Sequence, residues 1–413
     1  MDLINLISII LTLSAIFAYI NFRFIGLPTT IGVMLIALVI SLLMVMLRAA
    51  GVAEIDEYAN HLLSSIDFNA TLMNGMLSFL LFAGALHVST KDLAKMRWTI
   101  GVLATAGVLL STFIIGYITS LLLSLLGFNF SFTYCLLFGA LISPTDPIAV
   151  MSTLKKIGIA KSLETKIAGE SLFNDGVGVV VFIVILGIIQ QPEQLSPMSV
   201  ATIFAEEAIG GVLFGFILGL VGIYLLKSVD NYQVEALITL ALVMGGYSLA
   251  LKLHTSGPIA VVVAGLIIGN HGRAYAMSDR TRARLDDFWE LLDEILNVIL
   301  FLLIGLEVMV LQFELSYLVA GLLAIPLIVA ARFFSVGIPI TFLKATTPIQ
   351  YSPHAIKILA WGGIRGGISV ALALSLPDGL ERDTFLVMTY IIVIFSIVVQ
   401  GLTIGKLAKR FGA

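Results

Sequence analysis

Charge is what this chain has least of. Asp, Glu, Lys and Arg make up 12% of its 413 residues, against 59% hydrophobic, and the mean hydropathy is +1.07. Soluble domains carry about twice that share of charge. A water-soluble protein of this size is therefore excluded, and an all-α polytopic membrane protein is expected. Cysteine is nearly absent: Cys135 stands alone inside an apolar segment, which excludes disulfides and cysteine metal sites. No basic region precedes the apolar run Leu3–Ile20 and no small-residue cleavage site follows it, so a retained helix is expected rather than a signal peptide. Long hydrophilic stretches are missing too. The longest, 48–69 and 271–287, are too short for a core of their own, so a single transmembrane domain over 1–413 without a soluble domain is expected. The five histidines are scattered and form no cluster.

What fills the chain is a series of thirteen hydrophobic segments: 2–20, 28–47, 70–88, 98–125, 133–151, 166–189, 200–226, 232–251, 257–270, 288–311, 317–343, 354–376 and 384–408. Most approach the roughly 20 residues needed to span a bilayer, and the ninth is short. Basic residues in the connections set the orientation. With the N-terminus outside, the inner connections and tail hold 17 of the 23 Lys and Arg, while the outer connections hold only Arg48, Lys252 and Arg382. The expected topology is a multi-pass protein of the cell inner (cytoplasmic) membrane, N-terminus outside and C-terminus in the cytoplasm.

Two polar clusters interrupt this apolar background. Ser143-Pro144-Thr145-Asp146-Pro147 lies in segment five and Gly169-Glu170-Ser171-Leu172-Phe173-Asn174-Asp175-Gly176 in segment six. Carboxylates in such surroundings cost several kcal/mol each unless paired or neutralised, so they mark a functional site. Pro144 and Pro147 remove two amide donors and disfavour helix just before each of them. A membrane segment tolerates that break only where freed carbonyls face protein or a water-filled cavity. Those carbonyls, with Asp146, Asp175 and the Ser171 hydroxyl, form an all-oxygen set suited to a hard cation.

Thr-Asp-Pro on one helix and Gly-Glu-Ser-Leu-Phe-Asn-Asp-Gly on the next resemble the NhaP-type sodium/proton antiporters, a family that includes the animal sodium/proton exchangers. The resemblance extends over nearly the whole chain. A second unusual backbone, Trp361-Gly362-Gly363-Ile364-Arg365-Gly366-Gly367, interrupts segment twelve. Close helix packing through small residues is one reading. Its position suggests another: segments five and twelve are seven apart, and match if segments 1–6 and 8–13 are inverted six-helix repeats linked by segment seven. Interrupted segments at corresponding places in two halves point to a transporter site. The resemblance implies the same architecture, two broken helices crossing near mid-membrane. It also implies a mobile core against a dimerisation domain, hence a homodimer.

The implied activity is exchange of a monovalent cation, Na+ and also Li+, for H+, serving pH and sodium homeostasis. Asp175 is expected to be the obligate carrier and Asp146 the second carboxylate, with Thr145 binding through its carbonyl and Ser171 through its hydroxyl. Asn174 is expected to organise the site. Such exchange needs carboxylates whose proton affinity is raised by burial, so that protons and cations compete. Glu170 and Asp175 lie about 140° apart around a helix, so Glu170 needs another partner. Arg332 and Arg365 are both open to it, and the resemblance favours Arg332. Asn174 beside a single Asp175 suggests one-for-one, electroneutral exchange. Many relatives carry an acid where Ala83 stands, which puts a third carboxylate from segment three in doubt.

No cofactor, no nucleic acid and no catalytic activity are expected; the partners are monovalent cations, protons and the lipid bilayer. The Gly-x-Gly-Asp signature of an intramembrane aspartyl protease is absent, and neither a filter nor a symmetric ring marks a channel. K+/H+ exchange is the alternative within the same fold. Glu206, Glu207 and Glu235 read as solvated helix ends, or as a funnel that concentrates cations. Asp286, Asp287, Glu290, Asp293 and Glu294 read as acids at the start of segment ten, favoured there by the helix macrodipole.

Overall fold

In a computed structural model, residues 3–50, 71–159, 161–190, 197–309, 311, 314–347 and 354–411 are described. Residues 51–70, most of the connection 48–69, lie outside the described residues. Among the described residues the chain is helical, without strands, and each hydrophobic segment is a helix or a broken pair. In order these are α1 (3–25), α2 (Thr29–Ala49), α3 (Thr71–His87), α4 (Thr90–Leu125), α5 (Phe132–Ile142 and Ile148–Ile157), α6 (Lys161–Gln190) and α7 (Pro197–Lys227). There follow α8 (Tyr232–Lys252), α9 (257–275), α10 (Asp279–Glu307), α11 (Leu315–Thr346), α12 (Ala355–Trp361 and Gly367–Leu374) and α13 (Leu380–Arg410).

Several helices begin well before their apolar stretch. The Ser89 side chain accepts from the Asp92 amide and starts α4, and the Ser278 side chain accepts from Thr281 and starts α10. Capping stabilises the first turn wherever the cap sits, whether or not the residues after it are apolar. Segment ten therefore starts at Asp279 rather than near residue 288. Asp286 sits within that polar extension and pairs with Arg273, while Asp293 lies about 21 Å along the helix from its first residue. The expectation that Asp286, Asp287, Glu290, Asp293 and Glu294 sit at the helix start does not hold: the first turn carries only Asp279, and all five lie beyond it.

The helices pack as two groups. α4, α5, α6, α11, α12 and α13 form one bundle, and α1, α2, α3, α7, α8, α9 and α10 form a wall beside it. The pairings recur after seven segments: α2 on α10 answers α9 on α3, α4 on α5 answers α11 on α12, and α4 on α6 answers α11 on α13. The short α9 packs through glycine. A Cβ added at Gly265 would stand 3.0 Å from the Phe82 carbonyl, and one at Gly269 would strike the Leu86 carbonyl, so α9 and α3 meet backbone to backbone.

Candidate functional site

The two broken helices meet at their breaks. The Asp146 amide donates to the Ile364 carbonyl at 2.7 Å, joining the 143–147 and 362–366 stretches. In an unbroken helix the Ser143 carbonyl would accept from residue 147, which is Pro147 and has no N–H. The Arg365 guanidinium supplies that missing donor, and also donates to the Pro144 carbonyl at 3.0 Å. Pro144 would ordinarily be served by the Ile148 amide, which instead donates to Asp146 Oδ1 at 2.8 Å. Asp146 thus caps the second half of α5, and Arg365 satisfies the carbonyls that the break sets free.

Helix α6 closes over the break. Gly178 lies against Pro144, where a Cβ would stand 2.6 Å from the ring. The Asn174 amide nitrogen donates to Thr145 Oγ1 at 2.8 Å, and Asn174 Oδ1 accepts from the Thr145 amide at 3.4 Å. Asn174 therefore fixes Thr145 by side chain and backbone together. The Ser171 hydroxyl donates to the Thr145 carbonyl, which brings these two oxygens face to face. Asp175 is buried, and among the described residues its Oδ1 has no hydrogen-bond partner. Thr145, Asp146, Ser171 and Asp175 line a single cavity of about 140 Å³. Lone pairs of carbonyl, hydroxyl and carboxylate oxygens converge there, the ligand chemistry of a hard monovalent cation.

Glu170 faces away from this cavity. Its carboxylate is 2.5 Å from Arg332 of α11, with both side chains buried. Arg365 makes its hydrogen bonds to the α5 carbonyls. Gly363 allows the Glu170–Arg332 pair to form, because a Cβ there would collide with the Arg332 guanidinium. Glu206, Glu207 and Glu235 do not line the cavity; Glu206 is exposed, and Glu235 is fully buried rather than solvated.

The sequence pattern matches the family described as "Sodium/hydrogen exchanger, transmembrane" over residues 11–410. The chain belongs to the sodium/hydrogen exchanger family. It is thus a multi-pass membrane antiporter that exchanges sodium for protons. It is 51% identical over 413 residues to the Na+/H+ antiporter NhaP of Pseudomonas aeruginosa, covering 100% of this chain and 97% of that one. The Na+/H+ antiporter NhaH of Halobacillus aidingensis is 34% identical over 392 residues, 93% of this chain and 92% of that one. The fold matches the sodium proton antiporter MjNhaP1 of Methanocaldococcus jannaschii with a TM-score of 0.78 at 20% identity, covering 100% of both chains.

Two polar residues of this exchanger's cavity escape a motif-based reading. Asp293 of α10 and Ser369 of α12 both line it, and Ser369 Oγ is buried without a partner. A signal for Asp293 exists in hindsight. Trp289, Asn297 and Leu300 stand four before, four after and seven after it, and all are buried, so Asp293 lies on the inward stripe of α10.

Proposed function

We propose that this exchanger trades one Na+, or one Li+, for one H+ at Asp146, Asp175, the Thr145 carbonyl and the Ser171 hydroxyl. The observation that carries this assignment is the buried Asp175 oxygen without a partner, facing a cavity shared with Asp146 at a broken helix. A carboxylate so placed has two ways of settling its charge, a proton or a cation, and cannot hold both. Competition at one site is sufficient for exchange. Asn174 and Arg365 hold the broken backbone in shape, and the Glu170–Arg332 pair ties α6 to α11 outside the cavity. Transport is electroneutral on this reading.

Segments 1–6 and 8–13 are read as inverted repeats linked by segment seven, which the pairings recurring after seven segments support. The six-helix bundle is the moving body and the wall is the dimerisation side, giving a homodimer in the cytoplasmic membrane. The N-terminus is outside and the C-terminus inside. Contacts between connections fit this alternation. Lys161 pairs with Asp92 at 3.4 Å, Asn270 Oδ1 accepts from the Thr90 amide at 2.8 Å, and the Ser278 hydroxyl donates to Asp230 at 2.8 Å. These residues lie in, or on the helix ends that flank, the α3–α4, α5–α6, α7–α8 and α9–α10 connections, all on the lysine- and arginine-rich side.

The test is a pH-sensitive dye in proteoliposomes, with NaCl, LiCl or KCl added in turn. Sodium and lithium are expected to drive proton flux and potassium to give none, and Asp175→Asn is expected to abolish flux while the protein remains folded. Flux driven by potassium alone overturns the ion assignment. Normal flux in purified Asp175→Asn overturns the site.

A further inference from the structure

The cation cavity lies between the two helix groups, and its walls differ in kind. Asp146, Ser171 and Asp175 belong to the bundle, whereas Asp293 projects from α10 of the wall. Among the described residues no lysine, arginine or histidine lines the cavity. Three carboxylates therefore line one cavity with no basic counter-charge among the described residues, an arrangement that requires positive charge from solution. Unpartnered oxygens mark where it sits. Among the described residues Asp175 Oδ1 and Ser369 Oγ lack hydrogen-bond partners, both side chains are more than nine-tenths buried, and both residues line the cavity.

Exposure falls from the start of α10 toward the cavity. Glu290, nearly one turn before Asp293, is exposed, Asp293 is half-buried and Asp175 is buried. Asp293 is thus the acid of α10 that reaches the cavity, on the side of the lysine- and arginine-rich face. Asn297, one turn further along α10, is buried with an unpartnered Oδ1. Beyond it Leu300 fills the space against Gly367, where a Cβ would stand 2.6 Å from the leucine side chain. The polar stripe of α10 ends there.

We propose that Asp293 is a wall-side positioning residue for the cation: it draws Na+ into the cavity from the lysine- and arginine-rich face and hands it on to Asp146 and Asp175. This deepens the proposed site and rests on that assignment. Because Asp293 is anchored in the wall while the cation ligands move with the bundle, it acts when the cavity opens toward that one face. Its effect is therefore one-sided. Asp175, which travels with the bundle, acts from both sides.

The experiment measures sodium-driven proton flux in everted vesicles, which present the face read here as cytoplasmic, and in right-side-out vesicles. In Asp293→Asn the apparent KM for Na+ is expected to rise about tenfold in everted vesicles, equivalent to roughly 1.4 kcal/mol. Maximal flux should be kept, and the KM in right-side-out vesicles should be unchanged. Asp293→Glu, which keeps the charge, should restore the KM to about twofold of the parent. The Na+-dependent rise in melting temperature of the purified protein should shrink in Asp293→Asn. An unchanged KM on both faces, an equal rise on both faces, or a loss of maximal flux without a KM change overturns the proposal. Should Asp293→Asn not accumulate, a tenfold KM rise in Asp293→Glu also overturns it. Asp175→Asn run alongside separates the two readings: if it transports normally the site itself is wrong, whereas if it is inactive and Asp293→Asn is normal only the role of Asp293 is lost.

Discussion

At the scale of single residues, the division of labour between two buried arginines decides what each contributes. Arg332 neutralises Glu170, while Arg365 donates to backbone carbonyls. A buried ion pair costs heavily when only one member is removed, because the other charge is left uncompensated, by about 3–5 kcal/mol. Glu170→Ala and Arg332→Ala are each expected to lower the melting temperature sharply, with less effect on activity per folded molecule. The double variant should recover part of the loss, since no unpaired charge remains. Arg365→Ala should also destabilise, but adding Glu170→Ala should not rescue it. Thermal unfolding of the six proteins, parent included, checks this; additive losses in the Glu170→Ala/Arg332→Ala pair refute the coupling. The sequence leaves both arginines open to Glu170 because both sit in apolar segments. The missing donor at Ser143 is legible from Pro147, but which side chain replaces it depends on how α5 and α12 cross.

At the scale of elements, the glycines of α12 serve side chains more than helix packing. Gly363 makes room for Arg332, Gly366 for Asp146 and Gly367 for Leu300. A Cβ at Gly366 would meet the Asp146 side chain, its Cγ at 2.9 Å, so Gly366→Ala must displace that carboxylate. The expected result is a weaker apparent affinity for Na+ with stability largely kept. Gly363→Ala presses on the guanidinium of the Glu170–Arg332 pair, and should lower the melting temperature more than it changes affinity. Measuring both quantities for both variants tests the assignment, and identical behaviour of the two would contradict it. The number and order of helices are readable in the sequence because each crossing needs its own apolar run. Their starts are less so: hydropathy registers residues that meet lipid, whereas Ser89 and Ser278 begin α4 and α10 by satisfying backbone amides in polar stretches.

At the scale of the whole molecule, the question is how many charges move per cycle. Sequence motifs point to Asp146 and Asp175 but are silent on which wall faces them, since that depends on packing between segments far apart in the chain. Asp293 is the example: its neighbours in sequence suggest a charged helix start, and only the seating of α10 beside α3 and α12 brings it to the cavity. Three carboxylates there raise the question of whether more than one proton leaves when a cation enters. Glu170 drops out because Arg332 neutralises it away from the cavity. Asp293 drops out as a carrier because it belongs to the wall. Asp146 gives one oxygen to the Ile148 amide, so it is tied to the backbone of α5. Asp175 is left with a buried oxygen that no described group satisfies, and it sits in the bundle proposed above to be the moving body. One carboxylate trading one proton for one monovalent cation leaves the loaded site with the same charge in both directions. Exchange is then driven by the two ion gradients and is indifferent to voltage. The measurement uses proteoliposomes with sodium as substrate and the potential clamped by potassium and valinomycin. An imposed potential of about 100 mV is worth roughly 2.3 kcal/mol for each charge moved. The sodium–proton equilibrium point is expected to stay where it is without the potential. A shift of that point would mean that a second proton travels, and its disappearance in an Asp146→Asn variant that still transports would name Asp146 as the second carrier.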